Sequence, residues 1–442
     1  MRALLRSQMH NVRRHVKGCS NRSLVRALSV LPDNTVVTDS GKRLHPHWLR
    51  ERCSGPASVQ WETVQPLQQP HDLPEDLRIV AASMRSGGGG WSAQLMVKFS
   101  DGHQSLYDAE YLEAEADDFS SHGIQQVDIG LPAPRLWDRE SGADIQRFDH
   151  DAVVSDLEAT LNLTTSLLRD GHVIIQGVPC EDKELIRFAK SLIGFQGETA
   201  VRPTNWGEVF NVRSEPDGNM KDLAYTSEAL SPHVDNPYRN PSPGFQLLHV
   251  LENKCSTGDN FAVDGFKVAS ELQKEDPAAY NALSSVSCRW ENDGGDRSTA
   301  LVHFAPYLSV DNTTGELTQI RYSPKSGGYP PLLTCEEEMT KFYRARRRLA
   351  QLLNEEYNTV RFKLRKGDLW LFNNLRVLHG REEFNPNEGM RFLQGGYIDM
   401  DGVTSAYYRS KFAMLHDTRR RRKVSAASSY VYASSHQHVS PS

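Results

Sequence analysis

Cysteine is scarce and scattered in this 442-residue chain. The six residues Cys19, Cys53, Cys180, Cys255, Cys288 and Cys335 form no Cys-x-x-Cys pair. That spacing argues against a disulfide framework and against a cysteine-rich structural zinc site. No apolar run approaches the roughly 18 residues of a membrane span, so no transmembrane helix is expected. An excess of positive charge is missing too. With a formal net charge of −5 and a pI near 6.4, the composition gives no electrostatic argument for a nucleic-acid partner. Acidic residues are absent from the first 32 positions, where Arg2, Arg6, Arg13, Arg14, Lys17, Arg22 and Arg26 alternate with Leu, Val and Ser. Such an Arg-rich, acid-free start is the composition of a mitochondrial presequence, with a disordered basic arm as the plainer alternative. The expected location is the mitochondrial matrix, or the cytoplasm if residues 1–32 are only an arm.

What is present is enough apolar sequence, 38% of the chain, to build two domains rather than one. Residues 33–125 read as a small β-rich domain. Within it, alternating residues from Trp91 lead to an Asp101-Gly102 turn and a returning strand from His103 to Tyr107. Pro132 and Pro134 mark a linker over 126–140. A larger domain follows over 141–410. It opens with helical periodicity from Asp151 to Asp170 and a buried strand from Gly171 to Gly177. From about 195 to 400, short strands between Gly, Pro and Asn turns are broken by one helix, Cys335 to Glu356. This pattern suits a sandwich or barrel. Residues 411–442 carry Arg419-Arg420-Arg421-Arg422-Lys423 and then Ser-rich sequence, the mark of a solvated tail.

Among 16 His and 56 acidic residues, about two His-x-Asp/Glu matches are expected from composition, and the chain has one: His233-Val234-Asp235. Two imidazoles and one carboxylate can occupy one face of an octahedral ferrous ion and leave three positions open. A second imidazole of suitable placement is His379. It follows a turn at Lys366-Gly367-Asp368 and an apolar strand from Leu369 to Phe372. Twelve residues further on, Arg391 opens another strand-like run to Tyr397, where a guanidinium can clamp a carboxylate bidentately.

These motifs resemble the Fe(II)/2-oxoglutarate dioxygenases, and among them the γ-butyrobetaine and trimethyllysine hydroxylase branch of the taurine-dioxygenase-like group. The likeness runs over about residues 30 to 410. It is carried by Trp48-Leu49-Arg50-Glu51-Arg52, Leu136-Trp137-Asp138, Ala224-Tyr225-Thr226, His233-Val234-Asp235, the run Pro243 to His249, Val263 to Phe266, Ile320-Arg321-Tyr322, the run Arg376 to Arg381, and Gln394 to Tyr397. The resemblance implies a mainly β fold with flanking helices: a double-stranded β-helix (jelly-roll) catalytic domain after a small β-rich one. By position it implies iron ligation by His233, Asp235 and His379, and pairing of Arg391 with the distal carboxylate of 2-oxoglutarate. Leu248 would line the cosubstrate pocket, and Asn260 stands where many members place Thr or Ser. Ascorbate would be a supporting reductant, and a homodimer is open.

The same branch holds a trimethylammonium group among aromatic rings. Such a cation has no N–H to donate, so ring faces are its natural partners. The matching positions are Trp206, Phe210, Tyr225 and Tyr397, with Asp222 as a counter-charge; singly, each ring is better explained by core packing, and together the four read as a cage. The animal carnitine-forming enzymes carry a zinc-binding cysteine cluster where this chain has only Cys53, so no structural zinc is expected. The His45-Pro46-His47 pair reads as structural. Around Ser323, where those enzymes have Asn, the sequence looks more like bacterial relatives, some acting on 2-(trimethylammonio)ethylphosphonate. The anionic tail is therefore open: the family's commonest activity puts γ-butyrobetaine first, then the phosphonate and trimethyllysine, with Arg289, Arg321 and Arg239 as candidates to meet the tail. The competing readings are a taurine-type hydroxylase of another small anion and a non-catalytic binding protein.

Overall fold

The computed structural model describes residues 28–411 and 413, except 61, 62, 64, 87–92, 110, 111, 113–115, 117–130, 143, 195–199, 214–225, 294–299, 334 and 412. The basic N-terminal segment up to residue 27 and the tail from 414 lie outside the described residues. The described residues divide into two compact units, those up to residue 116 and those from residue 131 onward.

In the first unit, strands Ile79–Arg85, Gln94–Phe99 and Gln104–Asp108 form an antiparallel sheet in that order. The hairpin turns at Gly102, whose φ of +85° glycine adopts at no steric cost. The middle strand alternates as a half-buried strand must: Leu95, Val97 and Phe99 point inward and pack with Leu49 of helix Pro46–Glu51. Arg50 of the same helix turns inward to Ser58 Oγ at 2.9 Å and Asp101 at 3.3 Å, while Arg52 lies 3.9 Å over the Trp48 ring. The Trp48-to-Arg52 motif thus holds this unit together. His45 caps the helix with its side chain, and its ring stacks on His47.

The second unit contains a six-stranded and a four-stranded sheet. The first runs Phe210–Arg213, Arg391–Ile398, Phe245–Asn253, Leu369–Asn373, His172–Gln176, Arg147–Asp149, all antiparallel except the last pair. The second runs Leu230–His233, Val377–Arg381, Asn260–Asp264, Val360–Phe362. Their inner faces share one core: Leu248, Trp370 and Leu393 from the larger sheet meet Ala262, Val360 and Val377 from the smaller. Alternate residues of the larger sheet, Leu247, Leu369 and Leu371, face helices Leu157–Asp170 and Glu184–Ile193 instead. Burial on both faces explains the unbroken apolar run at Leu369 to Phe372.

Helix positions follow capping chemistry that periodicity does not reveal. The expected 151–170 helix is two, His150–Ser155 and Leu157–Asp170, because Asp156 leaves the helix and accepts hydrogen bonds from the amides of Glu158 and Ala159. Helices Gly265–Glu275 and Pro277–Ser285 occupy sequence that reads as short strands, and are started by the side chains of Asp264 and Asp276. The helix expected from Cys335 to Glu356 spans Glu336–Leu353.

At one end of the smaller sheet, where Asp264 closes a strand and Arg376 precedes its neighbour, lies a buried polar network. Arg376 grips Asp264 bidentately (Nε–Oδ1 3.0 Å, Nη2–Oδ2 2.7 Å) and also donates to the carbonyls of Arg169 and Arg135. Asp264 accepts the Trp137 amide as well, and the Trp137 indole stacks on His172 at 4.7 Å. Three motifs of the resemblance, around Trp137, Asp264 and Arg376, thus meet in one structural joint.

Candidate active site

Sheet register brings the two imidazoles together. His233 and His379 are directly opposed on neighbouring antiparallel strands, so both side chains leave the same face, with ring centroids 4.3 Å apart. Asp235 lies just past the end of its strand. Its backbone is held on both sides by Asn374, which accepts from the Asp235 amide at 2.8 Å and donates to its carbonyl at 2.9 Å. Asn236 then turns the chain in the left-handed region, φ 53°. Donor atoms of the three side chains all lie within 4.8 Å of one another, the one such cluster found among the described residues.

Protonation suits a cation. His233 Nδ1 sits 2.8 Å from the Ser231 carbonyl and donates to it, which leaves Nε2 as the lone-pair nitrogen, 3.5 Å from Asp235 Oδ1. Burial, followed by the charge of His233, pushes His379 down to about 3, so its imidazole is neutral. Burial works against ionisation of Asp235. Electrostatic interaction with the neighbouring His379 and His233 and the Tyr397 hydrogen bond nevertheless hold its carboxyl below the ordinary value. Two imidazoles and a carboxylate, opening on a cavity, are the donor set of a divalent transition ion with free positions.

The other cavity wall is cationic. Arg391 is buried, yet no carboxylate pairs with it among the described residues. Its Nη2 reaches Asn260 Oδ1 at 3.3 Å and its Nε has no partner. Burial lowers this guanidinium to about 10. Arg381, also on the cavity, donates to the carbonyls of Thr226 and Glu228. Leu248 lines the same space. A buried, under-partnered guanidinium is unfavourable by itself and gains strongly from an incoming carboxylate.

Trp206, Phe210 and Tyr397 line the same cavity, the last two with ring centroids 5.5 Å apart. Phe210 can lie there because Gly395 is its cross-strand partner; a Cβ at Gly395 would sit 2.2 Å from the ring. Asp222 and Tyr225 fall outside the described residues. None of the three candidate arginines lines the cavity. Arg289 is paired with Glu291, Arg321 donates to Ser309, and Arg239 donates to Asn205. Lys325 is there instead, with Ser323, Ser326 and Asn292, and its charge is felt by Asp235 and His379. The sequence reading also missed Tyr238 and Gln246, both on the cavity. Gln246 carried one available signal, a polar residue inside the apolar run Phe245 to Leu248.

A model of the taurine catabolism dioxygenase TauD, TfdA family matches residues 132–397. The chain belongs to this family. It is a 2-oxoglutarate-dependent dioxygenase. Similar proteins include a γ-butyrobetaine dioxygenase of Pseudomonas sp. (strain AK-1), 33% identical over 361 residues, 82% of this chain and 88% of the relative. A dioxygenase str8 of Strobilurus tenacellus is 30% identical, with 80% and 82% covered. A trimethyllysine dioxygenase of Neurospora crassa is 26% identical, with 87% and 84% covered.

Proposed function

We propose that the protein hydroxylates a C–H bond of a small trimethylammonium zwitterion, with γ-butyrobetaine as the leading substrate. The observation that carries this reading is the ring wall of Trp206, Phe210 and Tyr397 on the same cavity as the His233-Asp235-His379 cluster and the under-partnered Arg391. The relatives named for γ-butyrobetaine and trimethyllysine point the same way. His233, Asp235 and His379 would hold Fe(II), which when bound supplies dioxygen activation coupled to oxidative decarboxylation of 2-oxoglutarate. Arg391, steadied by Asn260, anchors the distal carboxylate of 2-oxoglutarate, and Leu248 packs along its chain.

The rings seat the cation, each face contributing about 0.5–2 kcal/mol. Lys325, with the hydroxyls of Ser323 and Ser326, receives the anionic end. Fixing both ends presents one methylene to the reacting centre, so the residues act chiefly by positioning. The two sheets serve as the walls of a double-stranded β-helix.

The test is incubation of the protein with Fe(II) and 2-oxoglutarate plus γ-butyrobetaine, 2-(trimethylammonio)ethylphosphonate or trimethyllysine, following succinate and hydroxylated product. Turnover of one of the three, lost in His233→Ala, supports the proposal. No product from any of them removes the trimethylammonium assignment.

A further inference from the structure

Asp235 is held by more than its own strand. Its Oδ2 accepts two hydrogen bonds, from Gln246 Nε2 and from the Tyr397 hydroxyl, each at 2.8 Å. The two donors are cross-strand partners in the larger sheet, so one rung of that sheet reaches across the cavity to a carboxylate that follows a strand of the smaller one. With Oδ2 already accepting two hydrogen bonds, Oδ1 keeps its lone pairs for a cation; it lies 3.5 Å from His233 Nε2, while Oδ2 is 3.9 Å from His379 Nε2. Tyr397 has a second surface. Its ring stands beside Phe210 in the wall that faces the substrate space.

We infer that Tyr397 is a positioning residue for the metal seat: its hydroxyl, with Gln246, fixes Asp235 in one-oxygen ligation, while its ring bounds the substrate space. This rests on the metal seat proposed above, and only its kinetic part rests on the substrate assignment. Outer hydrogen bonds to a ligating carboxylate set its orientation, and losing one typically weakens metal binding about 10- to 100-fold. Because the hydroxyl and the ring belong to one side chain, substitutions can separate the two roles. Tyr397→Phe removes the hydrogen bond and keeps the ring. Phe210→Leu removes a neighbouring ring and leaves both hydrogen bonds to Asp235 in place.

The experiment is Mn(II) titration of the full-length protein without substrate, read by calorimetry, together with steady-state kinetics on the amine that is turned over. Tyr397→Phe is expected to weaken Mn(II) binding about tenfold while KM for the amine moves less than about threefold. Gln246→Leu should weaken Mn(II) in the same direction, and supplies the reading on its own if Tyr397→Phe does not fold. Phe210→Leu should leave Mn(II) affinity unchanged and raise KM. The inference is overturned if Tyr397→Phe and Gln246→Leu bind Mn(II) as the native protein does, or if Phe210→Leu weakens it equally. Failure of the native protein to bind Mn(II) at all would instead strike the proposed metal seat.

Discussion

Arg391 offers the sharpest separation between a group that supports the fold and one that awaits a ligand. Its guanidinium is buried, meets Asn260 only at 3.3 Å, leaves Nε without a partner, and lies near a second cation, Arg381, whose charge it opposes. Replacing it with Met keeps an unbranched apolar stem and removes the buried charge. The Asn260 hydrogen bond and the contact with the Phe384 ring at 5.6 Å go with the buried charge, whose desolvation they offset only in part, so the melting temperature of the ligand-free protein should stay the same or rise. Binding of 2-oxoglutarate should suffer strongly. Truncating one partner of a buried, hydrogen-bonded charge pair typically costs about 2–5 kcal/mol. At about 1.4 kcal/mol per factor of ten, that is roughly a 30- to 4000-fold rise in the 2-oxoglutarate requirement.

Two measurements on Arg391→Met check this: thermal unfolding with and without 2-oxoglutarate and Mn(II), and KM for 2-oxoglutarate. At about 100 times its dissociation constant a ligand adds about 2.7 kcal/mol of stability to the native protein, and a variant whose affinity falls about 30-fold or more should show about 0.9 kcal/mol or less at the same concentration. A variant that melts several degrees lower without ligand, yet is still stabilised by 2-oxoglutarate, would refute the reasoning and make Arg391 a structural residue.

Asp264→Ala leaves the fully buried Arg376 without its carboxylate, so chemical denaturation should show a loss of about 3–5 kcal/mol. Gly395→Ala places a methyl group against Phe210 and displaces that ring; KM for a trimethylammonium substrate should rise about two- to thirtyfold, the value of one ring face. Acid should destabilise the fold. Burial pushes His379 and His172 down to about 3 and His249 to about 4, against 6.5 in the unfolded chain. The unfolded state therefore takes up protons first, and stability is lost as pH falls below about 6.5 toward those values, by up to about 1.4 kcal/mol per pH unit for each histidine. Thermal melts of the metal-free protein between pH 7 and pH 5 check the slope. A flat profile would contradict it.

How far the site was legible depends on what carries each part. The His233-Val234-Asp235 spacing and the apolar strand before His379 are local signals, and they were readable. That His233 and His379 face each other is a matter of cross-strand register, which no local pattern encodes. The same holds for the Gln246–Tyr397 rung, so Tyr397 reads from sequence as a ring for the cation and not as a donor to Asp235. Lys325 was overlooked because it lies in a loop, where a lysine ordinarily marks solvent. The arginines preferred in its place sit on strands or in turns whose orientation the sequence leaves open, and each is engaged elsewhere. Asp156, Asp264 and Asp276 placed helix starts through side-chain capping, a signal that apolar periodicity alone passes over.

The most direct measurement is anomalous diffraction from crystals grown with Mn(II) and 2-oxoglutarate. One strong peak is expected at bonding distance from His233 Nε2, Asp235 Oδ1 and His379 Nε2, with the far carboxylate of 2-oxoglutarate on Arg391. A peak on other donors, or no peak between these three, would contradict it.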